Sequence, residues 1–218
     1  MKIFPESVAI PERSVSGDAK LFANREVMLS IIPKYSVCVE VGVAYGSFTA
    51  TMLSTLKPSL FYAIDCFGFA AGKEPWGNTL LKDSGLTHEE WYRRRFVEQM
   101  SSDTLRVIKG MSWDACESLK DDVLDYAYLD ADHAYISVVR DLKVLYRKVK
   151  HNGLITFNDY TLWDFGAEVQ YGVVQVVNRF LAVSKSKIVS FALQASGYHD
   201  ITVQIDKSTT IDWGIFDT

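Results

Sequence analysis

Two short polar segments of the sequence, each directly after an apolar run, carry side chains that could activate a hydroxyl group. The first segment contains Asp130 and His133, and the second contains Asn158 and Asp159. Oxygen ligands of this kind suit a hard cation such as Mg²⁺, which lowers the pKa of a bound hydroxyl. A histidine titrates near neutral pH and can take up the released proton as a general base. We therefore predict that Asp130 and His133 are catalytic, and that Asp130, Asn158 and Asp159 could hold Mg²⁺.

Each of these residues also has an interpretation without chemistry. Asp130 can be an ordinary acid at the end of a strand, and His133 can be a surface loop residue. Asn158 and Asp159 are both residue types that favour turns. As metal ligands they supply one carboxylate and one amide, which would hold a cation less tightly than two carboxylates. The sequence therefore leaves open whether a metal is required.

A second candidate site lies at a glycine-containing turn. Gly42 and Gly46 follow Glu40 where a strand-like run changes into a helical pattern, and glycine lets a backbone turn tightly and approach a ligand. Asp65 ends the next strand-like run, where an acid can hold the hydroxyls of a ribose. The spacing is not the GxGxxG of a dinucleotide site. The alternative is that both glycines only allow close packing and that Asp65 is a solvated strand end.

Apolar runs of strand length alternate with helical patterns along the chain, which predicts a mostly parallel sheet with helices on both faces. Predicted strands cover 36–43, 60–65, 104–108, 124–130, 153–158, 187–194 and 200–206. Predicted helices cover 18–32, 47–56, 87–101, 135–149 and 166–183. A short turn joins the last two strands, so we expect them to pair antiparallel. The segment 66–86 is too long for an ordinary connection, which predicts an inserted loop or lid.

These features together resemble the class I methyltransferases that use S-adenosylmethionine. The resemblance covers about residues 20–206 and includes the ExGxxxGxxT turn, the acid after it and the strand pattern. The stretch 130–135, which reads DADHAY, is similar to the DxDHxY motif of a branch of small-molecule and sugar O-methyltransferases. The fold that this implies is Rossmann-like, with seven strands in a mostly parallel sheet and an antiparallel last strand.

The resemblance also implies roles for single residues. Glu40 and Gly42 would lie beside the methionine part of the cofactor, and Asp65 would bind its ribose. The positions that wrap the adenine would be Met111, Ser112 and Trp113. The implied cofactor-binding residues are Glu40, Gly42, Gly46, Asp65, Met111, Ser112, Trp113 and Asp130.

Length and composition limit the classes of protein to which the sequence can belong. The 218 residues are 48% hydrophobic and 23% charged, which is typical of one globular domain. We expect a single domain over 1–218, with an amino-terminal arm at 1–17. The net charge of −4 disfavours nucleic-acid binding, which needs a basic surface. Neither a membrane span nor the apolar core of a signal peptide is visible, so we expect a cytoplasmic protein.

The prediction is therefore an S-adenosylmethionine-dependent methyltransferase that acts on a hydroxyl of a small molecule or sugar, assisted by Mg²⁺, by His133 or by both. One alternative is a nicotinamide-dependent oxidoreductase, which the missing GxGxxG disfavours. Another is a cofactor-binding module without catalysis. A homo-oligomer is possible.

Overall fold

A central sheet of eight strands organises the computed structural model, which describes residues 8–217. A separate hairpin of two very short strands lies near the cleft described below. The strands are β1 (Val15–Phe22), β2 (Val37–Val41), β3 (Leu60–Asp65), β4 (Leu105–Lys109), β5 (Leu124–Leu129), β6 (Val149–Phe157), β7 (Trp163–Asp164), β8 (Val169–Gln170), β9 (Lys187–Ala192) and β10 (Asp200–Gln204).

Helices cover both faces of this sheet. They are α1 (Arg25–Met28), α2 (Ser47–Leu56), α3 (Leu80–Ser84), α4 (His88–Arg95), α5 (Val97–Ser101), α6 (Ser112–Glu117), α7 (Tyr135–Lys148) and α8 (Val173–Val183). On one face, Leu142 and Leu145 of α7 pack with Phe180 of α8, and on the other face Phe48 and Met52 of α2 are buried. Among the described residues, no helix is long and apolar enough to cross a membrane.

The strand order confirms the predicted fold class. The sheet runs β1-β9-β10-β6-β5-β2-β3-β4, and β10 is antiparallel to both β6 and β9. The other pairs in this sheet are parallel. Because β2, β3, β5 and β6 are parallel, their carboxyl ends meet at one edge, where ligands bind in open sheets of this kind.

The helix predicted over 18–32 is wrong. Residues 15–22 form the eighth strand, β1, which pairs with β9 more than 160 positions along the chain, at Val15↔Ile188. Helical structure is limited to α1 and a short 3-10 helix at Leu29–Ile31. Because β1 is an edge strand with most of its residues exposed, it lacks the apolar alternation by which a half-buried strand is recognised. The predicted arm at 1–17 therefore overlaps β1, and its residues 1–7 lie outside the described part of the chain.

Two other predicted elements are modified. The segment 66–86 contains a 3-10 helix at Pro75–Gly77 and the short helix α3. The helix predicted over 166–183 begins only at Val173, because β7 and β8 precede it. The helix predicted over 87–101 is present as α4 and α5, and Thr87 and Glu90 form the capping box that begins α4.

Candidate functional site

A cleft of about 1110 Å³ opens at the carboxyl ends of β2, β3, β5 and β6. This volume is slightly above the range of about 300–1,000 Å³ that is usual for a pocket holding one small ligand. Its wall includes residues from the glycine turn, from the turns after β3, β4, β5 and β6, and from the hairpin β7–β8. The cleft is therefore large enough for a small-molecule ligand.

The two glycines of the turn have different surroundings. Gly42 has a φ of +86°, and a Cβ atom there would lie 1.8 Å from the backbone oxygen of Asp130. Gly46 has a φ of +74°, and its Cβ would lie 2.4 Å from the ring of Phe96. Close packing thus accounts for both glycines, as the alternative interpretation held, but Gly42 also lines the cleft. Gly46 faces Phe96 and Tyr92 and is not part of the cleft wall.

Asp65 stabilises the same turn. One of its carboxylate oxygens accepts hydrogen bonds from the backbone N–H groups of Val43 (2.8 Å) and Ala44 (3.1 Å). The other oxygen accepts a hydrogen bond from the N–H of Phe67 at 2.6 Å. Asp65 is partly buried and lines the cleft. It is therefore a fixed carboxylate at the end of β3 and not a solvated strand end.

Glu40 lies deeper in the same part of the cleft. Its side chain is buried and accepts a hydrogen bond from the hydroxyl of Thr49 on α2. Burial raises the pKa of the Glu40 carboxyl well above its usual value, against the lowering effect of Thr49. Glu40 also lines the cleft, so it offers a carboxyl group of reduced charge beside the glycine turn.

The three residues predicted to surround an adenine follow β4. Met111 is exposed, Ser112 begins α6, and Trp113 is partly buried. The guanidinium of Arg140 lies 5.0 Å from the ring of Trp113. All three predicted residues line the cleft, on the side of Asp65. The structure therefore brings them to the same end of the cleft as the predicted ribose-binding acid.

His133 lies between two carboxylates at the opposite end. Its Nε2 atom is 3.7 Å from Oδ1 of Asp130 and 3.7 Å from Oδ2 of Asp159. Its ring stacks on Tyr171 with centroids 4.5 Å apart. Nε2 is shielded from bulk water and has no hydrogen-bond partner among the described residues. The structure thus brings the predicted catalytic residues together.

The environment shifts the pKa values of these groups in opposite directions. Burial lowers the pKa of His133 to about 4, so the imidazole is neutral at pH 7. Burial, with the Asp159 carboxylate, raises the pKa of Asp130 to about 7. Burial, with Asp200, likewise raises the pKa of Asp159 to about 7. The cluster therefore combines a neutral base with two carboxyl groups that ionise near neutral pH.

Asn158 has a different role from the one predicted. Its amide nitrogen donates a hydrogen bond to Asp200 at 3.0 Å. Asp200 is fully buried and also accepts hydrogen bonds from Gln194 (2.7 Å) and from the Tyr128 hydroxyl (2.9 Å). Sequence reasoning missed Asp200 because it stands at the start of β10, far from either motif.

Arg25 is the second residue that sequence reasoning missed. It begins α1, and its Nη1 atom is 3.1 Å from the Tyr128 hydroxyl and 3.6 Å from Oδ2 of Asp130. Its guanidinium lies over the ring of Phe48, 4.4 Å from the centroid. Arg25 lines the cleft. Its segment was predicted to be a plain helix, and no local pattern places a charge near Asp130.

The donors predicted to hold Mg²⁺ do not fit a divalent cation in this arrangement. Asp130 faces both His133 and the guanidinium of Arg25, and the amide of Asn158 is directed at Asp200. Mg²⁺ requires nearly ideal octahedral oxygen geometry. Within residues 8–217, no group of three His, Cys, Asp or Glu side chains is placed to hold a metal ion.

Asp164 and two tyrosines, Tyr171 and Tyr198, form the outer wall near His133. Asp164 accepts hydrogen bonds from the hydroxyls of Tyr171 (2.8 Å) and Tyr198 (2.9 Å). It also accepts them from the N–H groups of Gly166 and Ala167, and these contacts lower the pKa of Asp164 to about 2. The hairpin β7–β8 is therefore fixed by one ionised carboxylate. The sequence analysis did not predict this hairpin, because it assigned residues 166–183 to a helix.

His88 attaches the segment 66–86 to the glycine turn. Its Nε2 lies 2.7 Å from the backbone oxygen of Ala44, and its Nδ1 accepts the N–H of Phe69 at 3.4 Å. The rings of His88 and Phe69 stack at 4.4 Å. Tyr45 and Trp76 extend this aromatic group along the cleft. Residues of the segment 66–86 thus line one side of the cleft.

Several solved structures of methyltransferases share this architecture. An rRNA methylase from Streptococcus thermophilus is 8% identical, with a TM-score of 0.57 over 84% of this chain and 94% of its own. A SAM-dependent methyltransferase from Aquifex aeolicus is 12% identical, with a TM-score of 0.56 over 84% and 90%. A candidate caffeoyl-CoA O-methyltransferase from Staphylococcus aureus is 16% identical, with a TM-score of 0.55 over 82% and 80%. At these identities the likeness shows a shared fold.

A comparison at the level of sequence families gives a more specific result. No curated protein matches the chain. The family model described as a methyltransferase domain matches residues 39–160, which is more than half of the chain and includes the glycine turn, Asp65 and the His133 cluster. The chain therefore belongs to the family of methyltransferase domains.

Proposed function

We propose that the protein transfers the methyl group of S-adenosylmethionine to a hydroxyl of a small molecule, with His133 as the general base. The observation that carries this proposal is the position of His133, whose Nε2 is buried, has no hydrogen-bond partner among residues 8–217 and lies 3.7 Å from both the Asp130 and the Asp159 carboxylates. The family of methyltransferase domains supplies the reaction class.

The residues at the other end of the cleft fit an adenosine. Three backbone N–H groups fix the direction of the Asp65 carboxylate, which lines the cleft. An acid at the end of this strand can accept a hydrogen bond from a ribose hydroxyl. Met111, Ser112 and Trp113 provide an apolar and polar wall for the adenine. Glu40 and Gly42 would lie beside the methionine part.

When bound, S-adenosylmethionine supplies a methyl group on a sulfonium, which is already an activated leaving group. The protein's task is then to position the acceptor oxygen and to remove its proton. The imidazole of His133 is neutral at pH 7, since burial lowers its pKa. The proton would pass from the acceptor oxygen to Nε2. The positive charge that forms on the ring would face the carboxyl groups of Asp130 and Asp159, each 3.7 Å from Nε2.

We derive no step through Mg²⁺, because Arg25 and Asp200 already engage the predicted donors Asp130 and Asn158. In this proposal Asp130 and Asp159 are not metal ligands but carboxyl groups that face the ring of His133. An RNA acceptor is disfavoured by the net charge of −4 and by the acids around the cleft. The choice of a small-molecule or sugar hydroxyl rests on the similarity of residues 130–135 to the O-methyltransferase branch.

Transfer of a labelled methyl group tests this proposal. The protein is incubated with S-adenosylmethionine carrying a ¹³C-methyl group and with a panel of small hydroxyl, amine and thiol compounds that includes catechol and methyl glucoside. We expect the label to appear as a methoxy signal in the NMR spectrum, with EDTA present or absent. Label found only on nitrogen or sulfur would overturn the choice of acceptor atom. Abolition by EDTA with recovery in Mg²⁺ would overturn the reaction without a metal.

A further inference from the structure

We propose that Tyr171 is a positioning residue for His133, whose imidazole it holds in the orientation that keeps Nε2 between Asp130 and Asp159. This inference rests on the proposed function, because it presupposes that His133 takes up the proton of the acceptor. Tyr171 lies outside residues 39–160, the part of the chain that the methyltransferase family matches. The base would therefore depend on a part of the chain beyond the family match.

The rings of Tyr171 and His133 lie nearly parallel. Their centroids are 4.5 Å apart and their planes differ by 17°. The last side-chain torsion of a histidine is broad, so the ring rotates easily unless a neighbour restricts it. Neither carboxylate does so through a hydrogen bond to Nε2, because Oδ1 of Asp130 and Oδ2 of Asp159 are each 3.7 Å away, beyond hydrogen-bond distance. The flat contact with Tyr171 therefore restricts the direction of Nε2.

Backbone contacts fix Tyr171 against the loop that carries His133. The N–H of Gly172 donates to the backbone oxygen of His133 at 2.7 Å, and the N–H of Tyr171 donates to the backbone oxygen of Leu162 at 3.0 Å. A Cβ atom at Gly172 would lie 2.3 Å from Cα of Tyr135, so the two backbones are in direct contact there. The Tyr171 ring is thus placed on the imidazole by the backbone that follows the hairpin β7–β8.

The far end of the Tyr171 ring is anchored as well. Its hydroxyl donates to Oδ2 of Asp164 at 2.8 Å. The other oxygen of Asp164 accepts hydrogen bonds from the Tyr198 hydroxyl and from two backbone N–H groups of the hairpin turn. Tyr171 is therefore held through its own N–H, through its hydroxyl and through the adjacent Gly172, so the imidazole lies on a fixed surface.

The contact also suits the charge that forms during the reaction. The face of a tyrosine ring is negatively polarised and attracts a cation. When the proton of the acceptor oxygen passes to Nε2, the imidazole of His133 becomes positive while it lies on this face. An aliphatic side chain at position 171 offers neither the flat surface nor this attraction.

Methyl transfer by variants at position 171 separates positioning of the base from general support of the cleft. The rate is measured with S-adenosylmethionine carrying a ¹³C-methyl group and with catechol or methyl glucoside, whichever acquires the methoxy signal. Tyr171→Leu removes the ring and the hydroxyl, whereas Tyr171→Phe keeps the ring. The control is Tyr35→Leu, the same substitution at a position that is 69% exposed and outside the cleft wall. Thermal melting verifies that each variant is folded, and Tyr171→Met replaces Tyr171→Leu if that variant is not.

We expect Tyr171→Leu to lower kcat about 10- to 100-fold, within the range of coupling between side chains in contact, while KM for the acceptor and Kd for S-adenosylhomocysteine change less than about twofold. Tyr171→Phe should retain most of kcat, and Tyr35→Leu all of it. In a His133→Gln background, Tyr171→Leu should lower the remaining rate by less than about twofold, because there is no longer an imidazole to position.

The ring protons of His133 give a measurement that needs no acceptor. The chain has four histidines, and the signal that disappears in His133→Gln identifies His133 in the NMR spectrum. In the wild type we expect this signal to be sharp and shifted upfield by the Tyr171 ring. In Tyr171→Leu it should move downfield and broaden, while the other three signals stay in place.

The outcomes separate this inference from the proposed function. If His133→Gln keeps the wild-type kcat, the proposed base is wrong and the inference falls with it. If His133→Gln is slow but Tyr171→Leu keeps the wild-type kcat, or leaves the His133 signal unchanged, the Tyr171 inference fails and the proposed function stands. An equally large loss of affinity for S-adenosylhomocysteine in Tyr171→Leu, or a loss that adds in full to that of His133→Gln, would also overturn the inference, because Tyr171 would then support the cleft as a whole.

Discussion

At the scale of single residues, the cleft places His133 between two half-buried carboxyl groups, those of Asp130 and Asp159. Burial lowers the pKa of His133 to about 4 and raises those of Asp130 and Asp159 to about 7. The sequence motifs predicted these three side chains correctly as neighbours, because strands β5 and β6 are adjacent and parallel. Arg25 and Asp200 could not be predicted, since each reaches the cluster through a contact with a distant part of the chain.

Replacement of His133 tests its proposed role as the base. We expect His133→Gln to lower kcat by about 10²- to 10⁴-fold, which is the usual contribution of a general base. The affinity for S-adenosylhomocysteine should stay within about twofold. His151→Gln, at an exposed position of β6, is the matched control and should be fully active. A His133→Gln variant with wild-type kcat would contradict the assignment.

The raised pKa of Asp159 predicts a pH-dependent effect on stability. Its folded-state pKa of about 7 lies above the ordinary value of 3.8 for an aspartic acid. Its contribution to stability is therefore fully present below pH 3.8 and is lost as the pH rises through 7. Asp159→Asn removes this loss, so we expect the variant to gain about 1–2 kcal/mol at pH 8, or a few degrees in Tm, and less at pH 5.

Thermal melting of Asp159→Asn at both pH values measures this difference. Asp103→Asn is the control, because Asp103 is exposed and has a positive φ that Asn tolerates equally. A gain for Asp159→Asn that is no larger at pH 8 than at pH 5 would show that Asp159 is not a strained buried carboxylate.

At the scale of elements, the sequence patterns correctly predicted the helices that form through interactions between residues close together in the sequence. The amphipathic spacing of 135–149 corresponds to α7 (Tyr135–Lys148), and the run 47–56 is α2. The strand β1 was mistaken for a helix because its pairing with Ile188 of β9 is long-range and its side chains are mostly exposed. The hairpin β7–β8 was missed because its strands have two residues each and are held by the side chain of Asp164.

The close contact at Gly42 predicts that the turn between β2 and α2 accepts no side chain. In Gly42→Ala the new Cβ would meet the backbone oxygen of Asp130 at 1.8 Å, at a φ of +86°. We expect a loss of at least about 2 kcal/mol in the free energy of unfolding. Gly85→Ala is the control, since Gly85 has a φ of +70° but no atom within 4 Å of its Cβ, and it should lose about 1 kcal/mol. Equal losses in urea unfolding would contradict this account of the turn.

The hydrogen bonds of His88 predict how firmly the segment 66–86 is held. His88→Phe keeps an aromatic ring against Phe69 but removes the contacts with the Phe69 N–H and the Ala44 oxygen. We expect faster hydrogen exchange in the segment 66–86, because local opening becomes less costly. Exchange followed by mass spectrometry should show no change in α7. Unchanged exchange over 66–86 would mean that the aromatic packing alone fixes the lid.

At the scale of the whole molecule, composition and strand–helix alternation predicted the fold class but not the complete sheet. The eighth strand, β1, begins a segment that leads directly into Arg25 at the start of α1. The edge strand therefore anchors a cation beside the cleft. The acidic excess behind the net charge of −4 is partly located at this cleft, whose wall includes Glu40, Asp65, Asp130 and Asp159.

The central claim is that this cleft binds S-adenosylmethionine and not a nicotinamide dinucleotide. Isothermal titration of the purified full chain with S-adenosylhomocysteine, and separately with NADH, tests it most directly. We predict saturable binding of one S-adenosylhomocysteine per chain with micromolar or tighter affinity, and no heat of binding for NADH. Folded protein that binds NADH and fails to bind S-adenosylhomocysteine would contradict the account.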